Sequence, residues 1–219
     1  MQKYILMGTQ GSGKGTQAKM LCKDFDLVHI SVGDIFRWHI HSHTKLAARI
    51  HRIMARGDLV PDEIVEEIVK NRLELHDWNY GFILDGFPRN HVQAEFFLEN
   101  YDIDAVIHID VPDEVVKGRI LSRRLCESCG MDFNLIDHRP VVDNECDFCK
   151  GRLIPREDDT PQAIQSRLAD YHSKTEPVLG LFSKRELVFN IDGTRQPEEV
   201  QQTIRECLNL FLPEEQPAS

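Results

Sequence analysis

A glycine-rich segment near the start of the chain contains the residue types that bind phosphate. The stretch GTQGSGKGT, residues 8–16, follows the apolar run Tyr4–Met7. It fits the phosphate-loop pattern G-x-x-x-x-G-K-[ST] as far as Lys14, but Gly15 stands where Ser or Thr is expected and Thr16 comes one residue late. The glycines let backbone N–H groups turn toward a phosphate, and Lys14 adds a full positive charge. We therefore predict a nucleotide-phosphate site in preference to a flexible glycine turn.

A carboxylate and a scattered set of arginines extend this chemistry. Asp85 follows the apolar run Phe82–Leu84, a place where a carboxylate commonly holds Mg²⁺ or its waters, although a turn former or helix cap is an equal alternative. Phosphoryl transfer needs positive charge around the moving group, and converging arginines would supply it, whereas a single surface arginine is usually only solvated. The candidate arginines are Arg37, Arg89, Arg119, Arg123, Arg124, Arg156 and Arg167.

Four of the six cysteines have the spacing of a metal site. Cys126, Cys129, Cys146 and Cys149 form the pattern C-x2-C-x16-C-x2-C. Two such turns can close a tetrahedral four-thiolate zinc site, and a closed site leaves no open position for catalysis. Free thiols or a redox pair are the alternative. We predict a structural zinc, and the balance of basic and acidic residues around it argues against a nucleic-acid-binding ribbon.

Composition limits the classes of function. The chain has 219 residues, 41% hydrophobic and 28% charged, which is typical of a soluble globular protein with a real core. Twenty-six basic and 36 acidic residues give a net charge of −10, which argues against a nucleic-acid partner. No apolar run approaches the roughly 20 residues that span a bilayer, and we see no secretion signal. We therefore expect no membrane partner and a cytoplasmic location.

Short apolar runs alternate with amphipathic segments, which predicts an α/β fold. Strands are expected at Tyr4–Met7, Leu27–Ile30, Phe82–Leu84, Ala105–Ile109 and Leu187–Ile191. Helices are expected from about Lys14, near His91–Glu99, near Asp113–Arg124 and near Pro197–Phe211. This alternation indicates a five-stranded parallel sheet in a three-layer α/β/α core, with ligands beyond the carboxyl ends of the strands. Residues 31–75 and 125–158 break the alternation and are predicted to be excursions from the core.

The motifs together resemble the adenylate kinase family, in its long form with a zinc-bearing lid. The resemblance runs from about Lys3 to Leu212. Its motifs are GxxGxGKGTQA from Gly8, a variant of SxGDxxR from Ser31, GxLVPDE from Gly57, DGFPRxxxQA from Asp85, GRILSRR from Gly118, the cysteine pairs, RxDD from Arg156, RLxxYHxxTxPV from Arg167 and IDGT from Ile191. The order and spacing of these motifs are highly specific.

The resemblance implies reversible, Mg²⁺-dependent transfer of the ATP γ-phosphoryl group to AMP, giving two ADP, by a monomer. ATP would be bound by Gly11, Ser12, Gly13, Lys14, Gly15, Thr16, Arg119, Arg123 and Arg195. AMP would be bound by Val32, Arg37, Asp58, Leu59, Val60, Gly86, Phe87, Pro88, Arg89, Gln93, Arg156 and Arg167. Catalysis would depend on Lys14, Arg89, Arg123, Arg156, Asp158, Asp159 and Arg167. Asp85 would contact magnesium through waters.

The resemblance also implies a division of the chain. A P-loop core would comprise residues 1–30, 61–124 and 159–212. Residues 31–60 would form a helical insertion that binds the nucleoside monophosphate, and residues 125–158 a zinc-ribbon-like lid. Residues 213–219 would be a disordered tail.

The residue at position 32 leaves the identity of the acceptor nucleotide open. Val32 stands where the family usually has a base-contacting Thr, and UMP/CMP kinases have a small apolar residue there and match FPRN at Phe87–Asn90. A kinase with UMP, CMP or GMP as acceptor is therefore an alternative. A non-catalytic nucleotide-binding protein, whose zinc ribbon recruits a partner, is a second.

Overall fold

The computed structural model describes residues 2–136, 139–185 and 187–211, and within them strands and helices alternate. The strands are β1 (Lys3–Met7), β2 (Val28–Ser31), β3 (Phe82–Asp85), β4 (Ala105–Asp110), β5 (Arg123–Cys126), β6 (Asp132–Asn134), β7 (Leu153–Ile154) and β8 (Val188–Asp192). The α-helices are α1 (Lys14–Phe25), α2 (Val32–His41), α3 (Ala47–Arg56), α4 (Asp62–Glu74), α5 (His91–Asn100), α6 (Asp113–Leu121), α7 (Pro161–Asp170), α8 (Leu179–Ser183) and α9 (Pro197–Leu208). A π-helical turn (Tyr171–Thr175) and a 3₁₀ turn (Glu176–Val178) join α7 to α8.

Five strands form a parallel sheet in the order β2-β3-β1-β4-β8. The central strand β1 places Ile5 beside Leu84 of β3 and Val106 of β4. All five strands coincide with the predicted apolar runs, so the predicted α/β fold class is confirmed. The loops after these strands all open on one edge of the sheet, where ligands bind in folds of this kind.

Helices cover both faces of the sheet because successive strand residues point to opposite sides. Ile5 and Met7 of β1 pack into a core with α2, α3, α4 and α5. Tyr4 and Leu6, their neighbours in the same strand, pack into a second core with α1, α6, α7 and α9. The central strands are almost completely buried on both faces, which is why they read as continuous apolar runs.

The second, three-stranded sheet is antiparallel, in the order β6-β5-β7. It has a small core of its own, formed by Cys126, Phe133, Cys146 and Leu153. This core is small compared with that of a domain of ordinary size. A metal cross-link would compensate for this small core.

Two predicted helix ends are corrected. The helix expected over 113–124 ends at Leu121, because the chain changes to strand geometry and Arg123 pairs with Asn134. The last helix ends at Leu208 because Asn209 adopts a left-handed conformation, with φ 53° and ψ 42°. The tail that was predicted to be disordered lies outside the described residues. No helix in the described part of the chain combines the length and apolar character needed to cross a membrane.

Candidate functional site

The glycine-rich loop joins β1 to the N-terminus of α1. Gly13 caps the helix with a φ of 100°, a left-handed conformation that favours glycine. A Cβ atom at Gly8 would lie 2.4 Å from the carbonyl oxygen of Ile109, so this position also excludes a side chain. The Lys14 ammonium donates hydrogen bonds of 2.7 Å to the carbonyl oxygens of Gly8 and Thr9. Lys14 is thereby held over the loop.

Asp85 lies at the end of β3, close to this loop. A Cβ atom at Gly15 would stand 3.8 Å from Asp85 Oδ2, so a Ser or Thr hydroxyl there would come within reach of the carboxylate. Gly15 leaves that space free. Burial opposes ionisation of Asp85, but the proximity of His29 and the charge of Lys14 outweigh it and lower the pKa of the carboxyl group. His29 Nε2 lies 3.4 Å from Asp85 Oδ2.

A cavity of about 670 Å³ opens above the loop, at the carboxyl ends of the parallel strands. It extends from the phosphate loop to α2 and α3 on one side and to β6 of the antiparallel sheet on the other. Its volume is within the range of small-molecule sites. The predicted site residues that line it are Gly11, Ser12, Gly13, Lys14, Gly15, Thr16, Val32, Arg37, Asp58, Leu59, Val60, Asp85, Gly86, Pro88, Arg89, Gln93, Arg119, Arg123, Arg156, Asp158, Arg167 and Arg195.

Two predicted site residues lie behind the cavity wall. Phe87 is 1% exposed and its ring packs edge-on against Phe97, so its place is in the core. Asp159 is ion-paired with Arg123, with Oδ2 2.9 Å from Nε and Oδ1 2.6 Å from Nη2. Arg124, a candidate from sequence alone, does not line the cavity. Its guanidinium group donates to the carbonyl oxygens of Leu121 and Arg123.

Cations converge on the cavity, and carboxylates partly neutralise them. Desolvation lowers the pKa of Lys14 to about 8; the charge of Asp85 opposes this shift, and the charges of Arg89 and Arg123 add to it. Desolvation and the charge of Arg167 likewise lower the pKa of Arg89. The arginine–carboxylate pairs at the cavity include Arg37 with Asp34, Arg123 with Asp159, Arg156 with Asp132, and Arg167 with Asp158.

Several polar atoms at the cavity are buried without a hydrogen-bond partner among the described residues. They include Ser12 Oγ, Arg156 Nε and Arg167 Nη1, although Arg167 Nη1 also lies 3.5 Å from a carboxylate oxygen of Asp159. Buried donors are normally satisfied in folded proteins. The acceptor oxygens of bound phosphates are groups that could satisfy such donors.

The four paired cysteines cluster as the spacing predicts. Their sulfur atoms all lie within 4.8 Å of one another, and all four are free of disulfides. Cys126 Sγ is 3.4 Å from Cys149 Sγ, and Cys129 Sγ is 3.6 Å from Cys146 Sγ. Tetrahedral zinc, with Zn–S bonds of about 2.3 Å, would separate its ligands by roughly 3.8 Å. The cluster is therefore compatible with a zinc site.

Backbone hydrogen bonds favour the thiolate form of Cys126. Hydrogen bonds from the backbone of Cys129 and Ser128 lower the pKa of Cys126 to about 6, against the opposing effect of burial. Cys126 is 1% exposed and Cys146 is fully buried. A thiolate is the form of cysteine that binds a metal ion.

Comparisons with known proteins agree with this geometry. A model of the family described as "Adenylate kinase" matches residues 6–187. The chain belongs to the adenylate kinase family. It is 43% identical over 211 residues to "Adenylate kinase" of Thermoanaerobacter sp. strain X514, which covers 94% of this chain and 97% of that protein. It is 41% identical over 210 residues to "Adenylate kinase" of Staphylococcus epidermidis strain RP62A (94% and 98%), and 41% identical over 203 residues to that of Finegoldia magna (90% and 94%).

In this adenylate kinase family member, sequence reasoning missed residues that hold the predicted ones. Asp34 and Asp132 pair with Arg37 and Arg156, and Thr175 Oγ1 donates a 2.7 Å hydrogen bond to the carbonyl oxygen of Arg89. The sequence carried a signal for Asp34, which is part of the SxGDxxR motif. Nothing in the sequence joins Thr175 to Arg89, because 86 residues separate them.

Proposed function

We propose that the chain catalyses the reversible transfer of the γ-phosphoryl group from Mg·ATP to AMP, giving two ADP. The observation that carries this proposal is the convergence of Lys14, Arg89, Arg123, Arg156 and Arg167 on one cavity above a phosphate loop. Membership of the adenylate kinase family supports the same reaction.

The reaction needs no protein nucleophile. A phosphate oxygen of AMP attacks the γ-phosphorus of ATP, a new P–O bond forms, and the bond to the β-phosphate oxygen breaks. Catalysis then rests on alignment of the two nucleotides and on positive charge around the moving group. The arginines at the cavity supply that charge at fixed positions, where it is most effective in a site that excludes water.

The ATP half would lie on the phosphate loop. Backbone N–H groups of residues 11–16 would bind the phosphates, and Lys14 would neutralise the charge that develops between them. Arg119 and Arg123 lie at the junction of α6 and β5, at the side of the antiparallel sheet. Arg119 donates a 2.8 Å hydrogen bond to the carbonyl oxygen of Gly193, beside Arg195. We assign these arginines to ATP.

The AMP half would lie between α2, α3 and the end of β3. Arg37 and Arg89 would bind the AMP phosphate, and Gln93 the base. Asp58, Leu59 and Val60 would contact the nucleoside through the backbone. Arg156 and Arg167 would bind the moving phosphoryl group; Arg156 is paired with Asp132, and Arg167 with Asp158 and Asp159. Residues 31–60 would thus act as the AMP-binding flap and residues 125–158 as a lid that excludes water.

Two metals complete the proposal. Magnesium supplies positive charge to the ATP phosphates. Asp85 fits a role in holding its waters, because the carboxyl group is ionised, half-buried and faces the loop. Zinc would be held by Cys126, Cys129, Cys146 and Cys149 and would stabilise the lid. We further propose that the protein is a cytoplasmic monomer.

The test is an acceptor assay. The protein is incubated with Mg·ATP and, in turn, AMP, UMP, CMP or GMP, and the nucleoside diphosphates are separated and quantified. We expect ADP formation from AMP to exceed product from every other acceptor. A preparation of the Lys14→Met variant serves as the control for contaminating kinases. Absence of any diphosphate would overturn the proposed reaction, and a larger yield from UMP, CMP or GMP would overturn AMP as the acceptor.

A further inference from the structure

The side-chain amide of Gln93 is held from both ends. Gln93 lies in the first turn of α5, is 1% exposed and lines the cavity. Its Nε2 donates a 2.7 Å hydrogen bond to Asp62 Oδ1, and its Oε1 accepts a 2.8 Å hydrogen bond from the backbone N–H of Arg89. Both ends of the amide are therefore engaged before any nucleotide is bound.

The two partners fix which end of the amide points in which direction. A carboxylate can only accept hydrogen bonds, and a peptide N–H can only donate them. The NH₂ group of Gln93 must therefore face Asp62, and its oxygen must face Arg89. A rotated amide would place oxygen against carboxylate and NH₂ against N–H, so both hydrogen bonds would be replaced by repulsion.

Asp62 is itself held in place. It is the first residue of α4, where the helix dipole favours a negative charge. Asn90 Nδ2 donates a 2.7 Å hydrogen bond to the same Oδ1, while Asn90 Oδ1 accepts one of 2.9 Å from the backbone N–H of Gln93 as the cap of α5. The orientation of Asn90 is thus fixed by that peptide group, and its NH₂ group has to face Asp62.

What remains of Gln93 for a ligand is one N–H and one oxygen lone pair, side by side. This pair complements an edge that offers an acceptor next to a donor. Adenine has that edge, with N1 as acceptor and the 6-amino group as donor. Hypoxanthine and guanine carry N1–H and a 6-oxo group at the same positions, so their polarity is reversed. Val32 is buried in the same cavity wall, and its side chain has no hydrogen-bonding group that could distinguish adenine from a 6-oxopurine.

We propose that Asp62 is a specificity-determining positioning residue, which holds the Gln93 amide in the orientation that accepts 6-aminopurine and rejects 6-oxopurine monophosphates. This inference rests on the proposed function, since it concerns the acceptor base of the same reaction. Asp62 acts through Gln93.

The test compares AMP with inosine monophosphate, whose bases differ only at N1 and C6. In Asp62→Asn, residue 62 can present either oxygen or NH₂ to Gln93, and only the N–H of Arg89 still opposes rotation of the amide. A hydrogen bond to a charged group contributes about tenfold or more in binding. We therefore expect the ratio of kcat/KM for AMP to that for inosine monophosphate to fall at least tenfold, mainly through KM. A purely structural role of Asp62 would lower both values together and leave the ratio unchanged.

Three controls keep the outcomes distinct. Glu63→Gln removes the same charge one residue away, at an exposed position, and is expected to keep the ratio within twofold of the wild type. Asn90→Ser retains a cap for α5 but removes the second donor to Asp62, and should lower the ratio by a smaller factor. This variant tests the proposal even where Asp62→Asn folds poorly. Gln93→Ala is expected to abolish the discrimination.

An unchanged ratio in both Asp62→Asn and Asn90→Ser, with a lowered ratio in Gln93→Ala, would overturn the inference. The proposed function would stand in that case, because the wild-type protein would still make ADP from AMP. Absence of ADP from the wild-type protein would instead overturn the proposed function itself.

Discussion

Arg123 and Asp159 form a bidentate salt bridge at the base of the antiparallel sheet. Arg123 Nε lies 2.9 Å from Asp159 Oδ2, and Nη2 lies 2.6 Å from Oδ1. The Asp159 side chain is 3% exposed and also lies 3.5 Å from Arg167 Nη1. One buried carboxylate thus neutralises two guanidinium groups that we assign to phosphate binding.

Asp159→Asn should destabilise the protein because it leaves Arg123 largely buried without its counter-charge and leaves Arg167 with Asp158 alone. Removal of one partner from a buried pair costs about 3 kcal/mol of unfolding free energy. ATP supplies negative charge to the same arginines, so it should raise the melting temperature of the variant more than that of the wild type. Thermal unfolding with and without ATP measures both effects.

A matched control is Glu114→Gln. Glu114 pairs with Lys117 at 2.7 Å, but the Glu114 side chain is 85% exposed and the pair is screened by water. We expect its loss to leave the melting temperature nearly unchanged. Equal stability of the two variants would show that Asp159 does not neutralise the arginine cluster.

Strand and loop positions could be predicted from sequence because they depend on local patterns. The continuous apolar run at Tyr4–Met7 predicts a strand buried on both faces, and the glycine spacing predicts the loop that follows it. The partners of the charged residues depend on contacts between distant parts of the chain. Asp159 lies 36 residues from Arg123, and Asp62 lies 31 residues from Gln93. No local pattern carries such contacts, so the sequence predicted the arginines and missed how they are held.

The lowered pKa of Lys14 should make ATP binding depend on pH. Desolvation, with Arg89 and Arg123, brings this pKa to about 8 in the ligand-free protein, although Asp85 opposes the shift. Bound phosphates favour the charged form and raise the pKa, so binding above pH 8 requires uptake of a proton. The dissociation constant for ATP should therefore increase by up to tenfold per pH unit between about pH 8 and pH 9.5.

Calorimetry in buffers of different ionisation enthalpy measures this proton uptake. Lys14→Arg is the control, since a guanidinium group stays protonated throughout the range. We expect weaker ATP binding in Lys14→Arg, but a nearly constant dissociation constant between pH 7.5 and 9.5. A pH dependence as steep as that of the wild type would assign the titration to another group.

Asp85→Asn should raise the Mg²⁺ concentration that the reaction requires. The ionised carboxyl group of Asp85 faces the phosphate loop across the space left by Gly15. Replacement by an amide removes the charge and preserves the shape. We expect the Mg²⁺ concentration for half-maximal activity to rise about tenfold and kcat to fall about a hundredfold, as measured by magnesium titration at saturating ATP and AMP.

The control for this variant is Asp110→Asn, at the end of strand β4 of the same sheet. Asp110 is exposed and does not line the cavity. Its magnesium dependence should match that of the wild type. A normal magnesium dependence in Asp85→Asn would leave Asp85 with a structural role only, as the partner of His29.

Cys146→Ser should remove the metal and unfold the antiparallel sheet while the parallel sheet stays folded. Cys146 is fully buried and belongs to the small core of that sheet, with Cys126, Phe133 and Leu153. We expect so small a core to depend on its cross-link, whereas the two cores beside the parallel sheet share no residue with it. Metal analysis should find about one zinc per wild-type chain and much less in the variant. Limited proteolysis should cleave the variant first within residues 127–152.

Cys207→Ser, which changes an exposed thiol outside the cluster, should keep both the zinc and the protease resistance. Full zinc content in Cys146→Ser, or a zinc-free wild-type protein with disulfides recovered under reducing conditions, would contradict the four-thiolate site.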